Sequence, residues 1–303
     1  MRELTDFQRK LRDFLPEIVL RSWEPMRNHT SFRIGGGVEV MAFPKNTNEL
    51  AQLLKVSALL DCKPAILGAG TNVLAPDEGL SGLVICLKDC LAGMEQVGDT
   101  HIRVMAGSTM ARTAMFAANQ NLGGMEFAHG IPGTIGGGIY MNAGAYGGEM
   151  RQIVESVEVM DAEGNVESLS NAEMCFSYRH SVLEDTNKIV VSALLKLTPA
   201  PAEEVKAKMK ELIGKRTASQ PLDYPSAGSA FKRPVGGYAA ALIDEAGMKG
   251  YRIGDAAISE KHAGFAVNLG NATAEDVKQL LKEVAQKVYA HSGIRIEPEI
   301  RIW

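Results

Sequence analysis

Apolar and polar positions along the chain change period several times, and each change predicts an element. Residues 1–20, MRELTDFQRKLRDFLPEIVL, space their apolar side chains as an amphipathic helix does, and Pro16 ends the pattern. Residues 38–87 then alternate. VEVMAF reads as a strand, TNELAQLLKVSALLDC as a helix with Thr47 at its N-cap, and PAILGAG and GLVICL as further strands. HIRVMAG predicts another strand, followed by a helix over STMARTAMFAANQNL capped by Ser108 or Thr109. From residue 152 the period falls to two through IVESVEVMDAEGNVESLS, where AEGN marks a hairpin turn, and again through KIVVSALLKLTP. Pro199 and Pro201 interrupt that strand and the charged helix EEVKAKMKELIGKR begins, so the domain boundary is placed near residue 200. Beyond it come a helix around GYAAALIDEAG, a strand HAGFAVNL, a helix from about Thr273 to Ala290, and a last strand IRIEPEIRI.

This alternation predicts an α/β or α+β protein, and 303 residues exceed the usual single domain, which points to two. Charge narrows the partners: the net value of −4 is spread without blocks, so no basic face for nucleic acid is expected. No stretch approaches the roughly 20 apolar residues of a membrane span, and the N-terminus lacks the apolar core of a signal peptide. A cytoplasmic protein without membrane insertion is the expectation. Cys62, Cys86, Cys90 and Cys175 form no CxxC pair and read as reduced packing residues, not as disulfides or a metal site.

Glycine carries the strongest chemical signal. It clusters in RIGGGVE at 33–39, in LGAGTNVL at 67–74, and in GIPGTIGGGIYMNAGAYGGEM at 130–150, where eight fall within 19 positions. A dinucleotide fingerprint would need GxGxxG between a strand and a helix, but Val73, Leu74 and Pro76 do not start a helix. A Walker loop fails for want of the lysine that follows its last glycine. What remains is an anion cradle of main-chain N–H groups, which glycine allows to approach closely and to converge. RIGGGVE alone reads equally well as ordinary turns.

NHTSFRIGGG, ILGAGTNVL, GIPGTIGGGIYMNAGAYGGEM, FSYRHS, PSAGSAFKRP and the closing IEPEIRI, in that order over nearly the whole chain, resemble the UDP-N-acetylenolpyruvoylglucosamine reductases. These enzymes make UDP-N-acetylmuramate for bacterial peptidoglycan, and share the flavin-binding fold of vanillyl-alcohol oxidase and p-cresol methylhydroxylase. The resemblance implies a PCMH-type FAD-binding domain of two α+β subdomains plus a C-terminal α/β substrate-binding domain. An N-terminal helical segment would cover 1–27, the FAD domain 28–199 (subdomains about 28–87 and 88–199), and the substrate domain 200–303, its last strand at about 294–302 returning to the FAD domain. It further implies that Gly68, Ala69, Gly70, Thr71 and Asn72, with Gly130, Ile131, Pro132, Gly133, Thr134, Gly136, Gly137 and Gly138, wrap the FAD pyrophosphate and flank the flavin ring, Asn142 and Ala143 continuing that wall. Covalently flavinylated relatives use a histidine near the first loop. LGAGTNVL has none, so non-covalent FAD is expected, with His129 a packed or solvent-facing residue.

Reducing an enolpyruvyl ether takes a hydride at the methylene carbon and a proton at the neighbouring carbon, which bears the carboxylate. The developing charge calls for an electrostatic clamp, and the carbon for a general acid. The resemblance assigns Arg179 of FSYRH to the first role, which suits a planar, permanently charged fork. It assigns Ser229 of AGSAFK to proton donation, although a serine is by itself a poor acid. Glu299 of IEPEI matches the family motif better than Glu297, two residues earlier and on the same face of a strand, and would orient or stabilise the reacting end. Lys232, Tyr238, Lys249, His262 and Asn268 are candidates for the substrate's phosphates and sugar, and Arg233 for the same pocket. The 49 residues between Arg179 and Ser229 already hold a strand and a helix, leaving little room for the tyrosine loop of the longer class. The chain therefore resembles the shorter, type II class, and closure over substrate falls to Tyr238 or a mobile lobe. NADPH and UDP-N-acetylglucosamine enolpyruvate would then use one cleft in turn, in a monomer that holds no metal. Two alternatives stay open: a sugar or alcohol oxidase of the same fold, and a nucleotide-sugar-binding module without catalysis.

Overall fold

The structure, a computed structural model, describes residues 3–303. They form two compact units between which the chain passes repeatedly. The first takes the chain up to Ser22, Glu39–Ala69 and Ser81–Gly214; the second takes Trp23–Val38, Gly70–Leu80 and Lys215–Trp303. The division therefore does not fall at residue 200. The helix Ala202–Ser219 runs on past that point, and Val205 and Met209 sink into the core of the first unit.

In the first unit, the helix Asp6–Phe14 starts on a reciprocal capping box between Thr5 and Gln8, buries Leu11, and stops before Pro16 as its pattern predicts. A sheet orders Val19–Pro25, Gly37–Phe43, Leu80–Cys86 and Ala65–Leu67 side by side. The helix Thr47–Leu59 is capped one residue earlier than predicted: Asn46, not Thr47, accepts the Glu49 N–H at 2.9 Å. Asparagine caps at least as well as threonine, so the two neighbours compete and local backbone decides. A second, antiparallel sheet orders Val166–Ser170, Val154–Met160, Ile189–Lys196, His101–Met105 and Met94–Val97. Its hairpin turn falls at AEGN, where Gly164 takes φ +81° and Asp161 accepts the N–H groups of Glu163 and Asn165. The helix Met110–Asn119 follows, capped by Thr109. One core runs through this unit, from Leu11 through Ile85, Val104 and Ala114 to Leu195 and Met209.

The second unit has its own core, around Phe32, Leu74, Phe231, Ile243, Val277 and Leu281. Its sheet orders Ser226–Ser229, Phe265–Asn268, Ala256–Ile258 and Arg252–Ile253. The helix Ala274–Ser292 starts on a Thr273–Asp276 capping box and ends at Gly293, φ +71°. The last segment does not run as one strand over IRIEPEIRI. Only Arg301–Ile302 pairs regularly, in parallel with Val73–Leu74, while Pro298 makes an isolated bridge to Phe231. Proline has no N–H for a ladder, which breaks the strand between the two glutamates.

Candidate functional site

Gly68 of the first glycine loop meets the second cluster inside the first unit. A Cβ on Gly68 would stand 2.5 Å from Thr134 Oγ1, so only glycine lets the two loops touch. The second cluster is not an open loop throughout: Ile135–Tyr140 is a short helix with Thr134 at its N-cap. Its first amides are taken by the protein, Ile135 N–H by Ser108 O, Gly136 N–H by Ala106 O, and Gly138 N–H by Thr134 O. The cradle of converging amides expected over Gly136–Gly138 is thus corrected. These glycines serve close packing, since a Cβ on Gly136 would lie 3.0 Å from Ala106 Cβ and one on Gly138 2.9 Å from Met110 Sδ. Gly137 differs. It is exposed, and a Cβ there would meet nothing nearer than Thr134 Oγ1 at 3.5 Å, so the helix shows one bare face.

The amides that remain lie at Gly133 and Thr134, just ahead of this helix, and in the first loop. Among the described residues the N–H groups of Gly68, Ala69 and Gly70 have no hydrogen-bond acceptor, although Gly70 is buried. A buried amide without a protein partner is uncommon, and consecutive ones suit the oxygens of a pyrophosphate. The residues present therefore fit a dinucleotide held by backbone: Gly68–Gly70 would take its phosphates and Gly137 leaves a flat face free. His29 reaches this loop through its carbonyl, 2.0 Å from where a Gly70 Cβ would stand, while its ring Nε2 lies 2.8 Å from Glu24. His129 is tied to the neighbouring helix, its Nδ1 3.2 Å from Ala111 O.

Arg179 occupies the tip of a tight turn closed by two hydrogen bonds between Ser177 and His180, and its backbone is left-handed, φ +56°. The guanidinium lies 5.0 Å over the Tyr178 ring, with Nη2 3.5 Å from Gly144 O. Asn142, also left-handed at φ +44°, is fully buried. Its amide donates to Glu149 Oε2 and Ser177 O, and its oxygen accepts the Arg151 N–H. Its N–H donates to Ile139 O and that of the buried Ala143 to Gly138 O, so both residues are engaged within the fold.

In the second unit a β-bulge precedes Ser229. Ser226 pairs with Val267 and Ser229 with Phe265, so three steps on one strand oppose two on the other, and Gly228 absorbs the extra residue at φ +77°. Ser229 is left exposed. Glu299 is fixed beside it: its N–H donates to Ala230 O, its carbonyl accepts from Asn72 Nδ2 at 3.1 Å, and Arg301 N–H donates to Asn72 O. The structure thus brings Asn72, Ser229 and Glu299 together. Glu297, mostly exposed, lies 4.0 Å from Lys232.

The substrate candidates separate by environment. Tyr238 is exposed and stacks under Arg233, whose Cζ lies 4.0 Å from the ring. Lys249 pairs with Asp244 at 2.7 Å. Asn268 is buried and engaged within the fold, donating to Phe32 O and accepting from Gly270 and Ala272, which accounts for it structurally. His262 packs edge-on against Phe265 and accepts the Gly264 N–H at Nδ1. Burial, with the Lys249 charge adding to it, lowers its pKa below the ordinary 6.5. The unfolded chain then takes up this proton before the folded one, so stability falls as pH drops below about 6.5. His262→Gln is expected to flatten that decline, read as melting temperature against pH.

Ser31 and Ser181 are site-shaping residues that the sequence did not disclose, and the N-cap role of Thr134 was not disclosed either. Each is a small hydroxyl whose partner is a backbone group distant in sequence or hidden in a glycine run, as with Ser31 Oγ donating to Ser226 O at 2.6 Å.

Comparison with known proteins assigns the chain. Residues 38–170 match the FAD binding domain model, and residues 220–303 match the model of the UDP-N-acetylenolpyruvoylglucosamine reductase C-terminal domain. The UDP-N-acetylenolpyruvoylglucosamine reductase of Caldanaerobacter subterraneus subsp. tengcongensis is 47% identical over 97% of this chain and 96% of its own length. The chain belongs to the UDP-N-acetylenolpyruvoylglucosamine reductase family. The crystal structure of the Thermus caldophilus reductase superposes with a TM-score of 0.77 at 34% identity, covering 95% of this chain and 99% of that one. A chitooligosaccharide oxidase, 12% identical with a TM-score of 0.52 over 95% of this chain and 60% of its own, shares the fold alone. The PCMH-type architecture expected from the motifs is thereby shown, and the glycine clusters at 67–74 and 130–150 both lie inside the FAD-binding match. Ser229, Glu299 and all five substrate candidates fall within the reductase C-terminal match; Arg179 lies between the two. Among the described residues no helix is long and apolar enough to cross a membrane.

Proposed function

We propose that this protein reduces UDP-N-acetylglucosamine enolpyruvate to UDP-N-acetylmuramate with NADPH, in the cytoplasm and as a monomer of the shorter, type II class. FAD, held non-covalently by the backbone of Gly68–Gly70, would supply the hydride chemistry between NADPH and the enolpyruvyl ether. The residues of the chain do the rest. Arg179 neutralises the carboxylate next to the reacting double bond and stabilises the charge that builds when hydride reaches the methylene carbon. Ser229 delivers the proton to the carbon that bears the carboxylate, and Glu299, anchored by its backbone, orients that end. Lys232, Tyr238 and Lys249 contact the phosphates and sugar, with Arg233 and His262 at the edge of the same pocket. The near full-length 47% identity to a reductase carries the reading. Supporting it, the bulge presents Ser229 outward beside a fixed Glu299, an arrangement with no evident purpose in an oxidase.

Anaerobic titration tests it. The purified protein is expected to be yellow, to bleach with NADPH, and to regain its colour on addition of UDP-N-acetylglucosamine enolpyruvate without oxygen. Colour that returns only with oxygen would favour the oxidase; a colourless protein that takes up no FAD yet binds a UDP-sugar would favour the binding module.

A further inference from the structure

We propose that Ser181 and Asn142 are positioning residues for Arg179: a two-ended clamp that holds its turn in a left-handed backbone and thereby aims the guanidinium. The turn from Ser177 to Ser181 is fastened at both ends to one segment, 140–142. At its start Ser177 O accepts from Asn142 Nδ2 at 3.0 Å; at its end Ser181 Oγ donates to Tyr140 O at 2.6 Å. Ser181 and Asn142 are both fully buried, so neither bond competes with solvent. Between them stands Arg179 at φ +56°, a conformation unfavourable to any residue with a Cβ and kept only where the surroundings over-determine it. The glycine-rich stretch explains how 140–142 reaches the turn. The short helix Ile135–Tyr140 ends there, and Asn142 is itself left-handed, which turns its side chain into the anchor. Glu149 and Arg151 in turn fix that side chain through its remaining amide proton and its oxygen.

The clamp stands on the geometry alone; its effect on catalysis rests on the role given to Arg179 above. In flavin-loaded protein, Ser181→Ala is expected to bleach with NADPH at the unaltered rate, while reoxidation at saturating substrate slows roughly 10–100-fold, as misplacement of a charged group does. The double variant with Arg179→Ala should be no slower than Arg179→Ala alone, because Ser181 acts only through that side chain. Losses that multiply, or that strike both half-reactions equally, would overturn the clamp. A second readout needs no turnover. Glycine accepts a left-handed backbone, so Arg179→Gly should melt above Arg179→Ala, and the order should reverse once Ser181→Ala releases the turn. Should Ser181→Ala fail to fold, the first comparison still decides: alanine melting above glycine refutes the strained turn. If the unaltered protein does not reduce the substrate at all, the reaction assignment falls while the melting order still judges the clamp.

Discussion

Ser229→Ala leaves the flavin reducible by NADPH at an unchanged rate and slows its reoxidation by the enolpyruvyl substrate by about 10²- to 10⁴-fold, the range that one positioned general acid contributes. The split between half-reactions follows from where the serine stands. Its hydroxyl projects from a bulged strand whose pairing with Phe265 is made by backbone, so removing the oxygen leaves sheet and core in place. Neither Glu299 nor Asn72 is bonded to that hydroxyl: the Glu299 N–H donates to Ala230 O and its carbonyl accepts from Asn72 Nδ2. Anaerobic stopped-flow at the flavin band separates the two rates. If both survive, Ser229 is not the proton donor.

Gly70→Ala has an effect of comparable size on flavin retention, for a different reason. Alanine at φ +62° costs on the order of 1–2 kcal/mol from backbone alone, and its Cβ would stand 2.0 Å from the His29 carbonyl oxygen, a backbone atom that cannot swing aside. The loop must move, and with it the free amides of Gly68–Gly70. The variant is expected to melt lower and to purify largely without FAD. Gly137→Ala provides the contrast. Its position is helical and open, so alanine gains about 0.5–1 kcal/mol of helix stability and the apoprotein should melt slightly higher. The added methyl nevertheless covers the bare face of the helix, so FAD affinity should fall. A Gly137→Ala protein that is both firmer and equally yellow would show that this face meets no flavin.

Much of this was legible in the sequence where local rules are strong. The amphipathic run ended by Pro16, Thr109 before Met110 and Thr273 before the last long helix all announce helices, and AEGN between period-two segments announces a hairpin. The glycine run misled. Glycine is a poor helix former, so IGGGIY reads as loop, yet tertiary packing against Ala106 and Met110 rewards a helix whose missing side chains permit close approach. The closing strand misled in the opposite sense: IRIEPEIRI alternates well, but Pro298 cannot join a ladder, and Glu299 is placed by Asn72 and Ala230 in its stead. The chain's repeated passage between two units was not legible at all, because it depends on which core each segment joins. Arg179, Ser229 and Glu299 were singled out by their motifs. What supports each of them, Ser181, Asn142, the bulge at Gly228 and the amide of Asn72, consists of backbone contacts that no residue pattern announces.

Whether backbone amides grip the dinucleotide is read from a crystal structure of the flavin-loaded protein. Pyrophosphate oxygens are expected within hydrogen-bond distance of the N–H groups of Gly68, Ala69 and Gly70, and the flavin ring on the glycine face at Gly137. A dinucleotide whose phosphates are held instead by lysine or arginine side chains, with those three amides facing water, would contradict that grip.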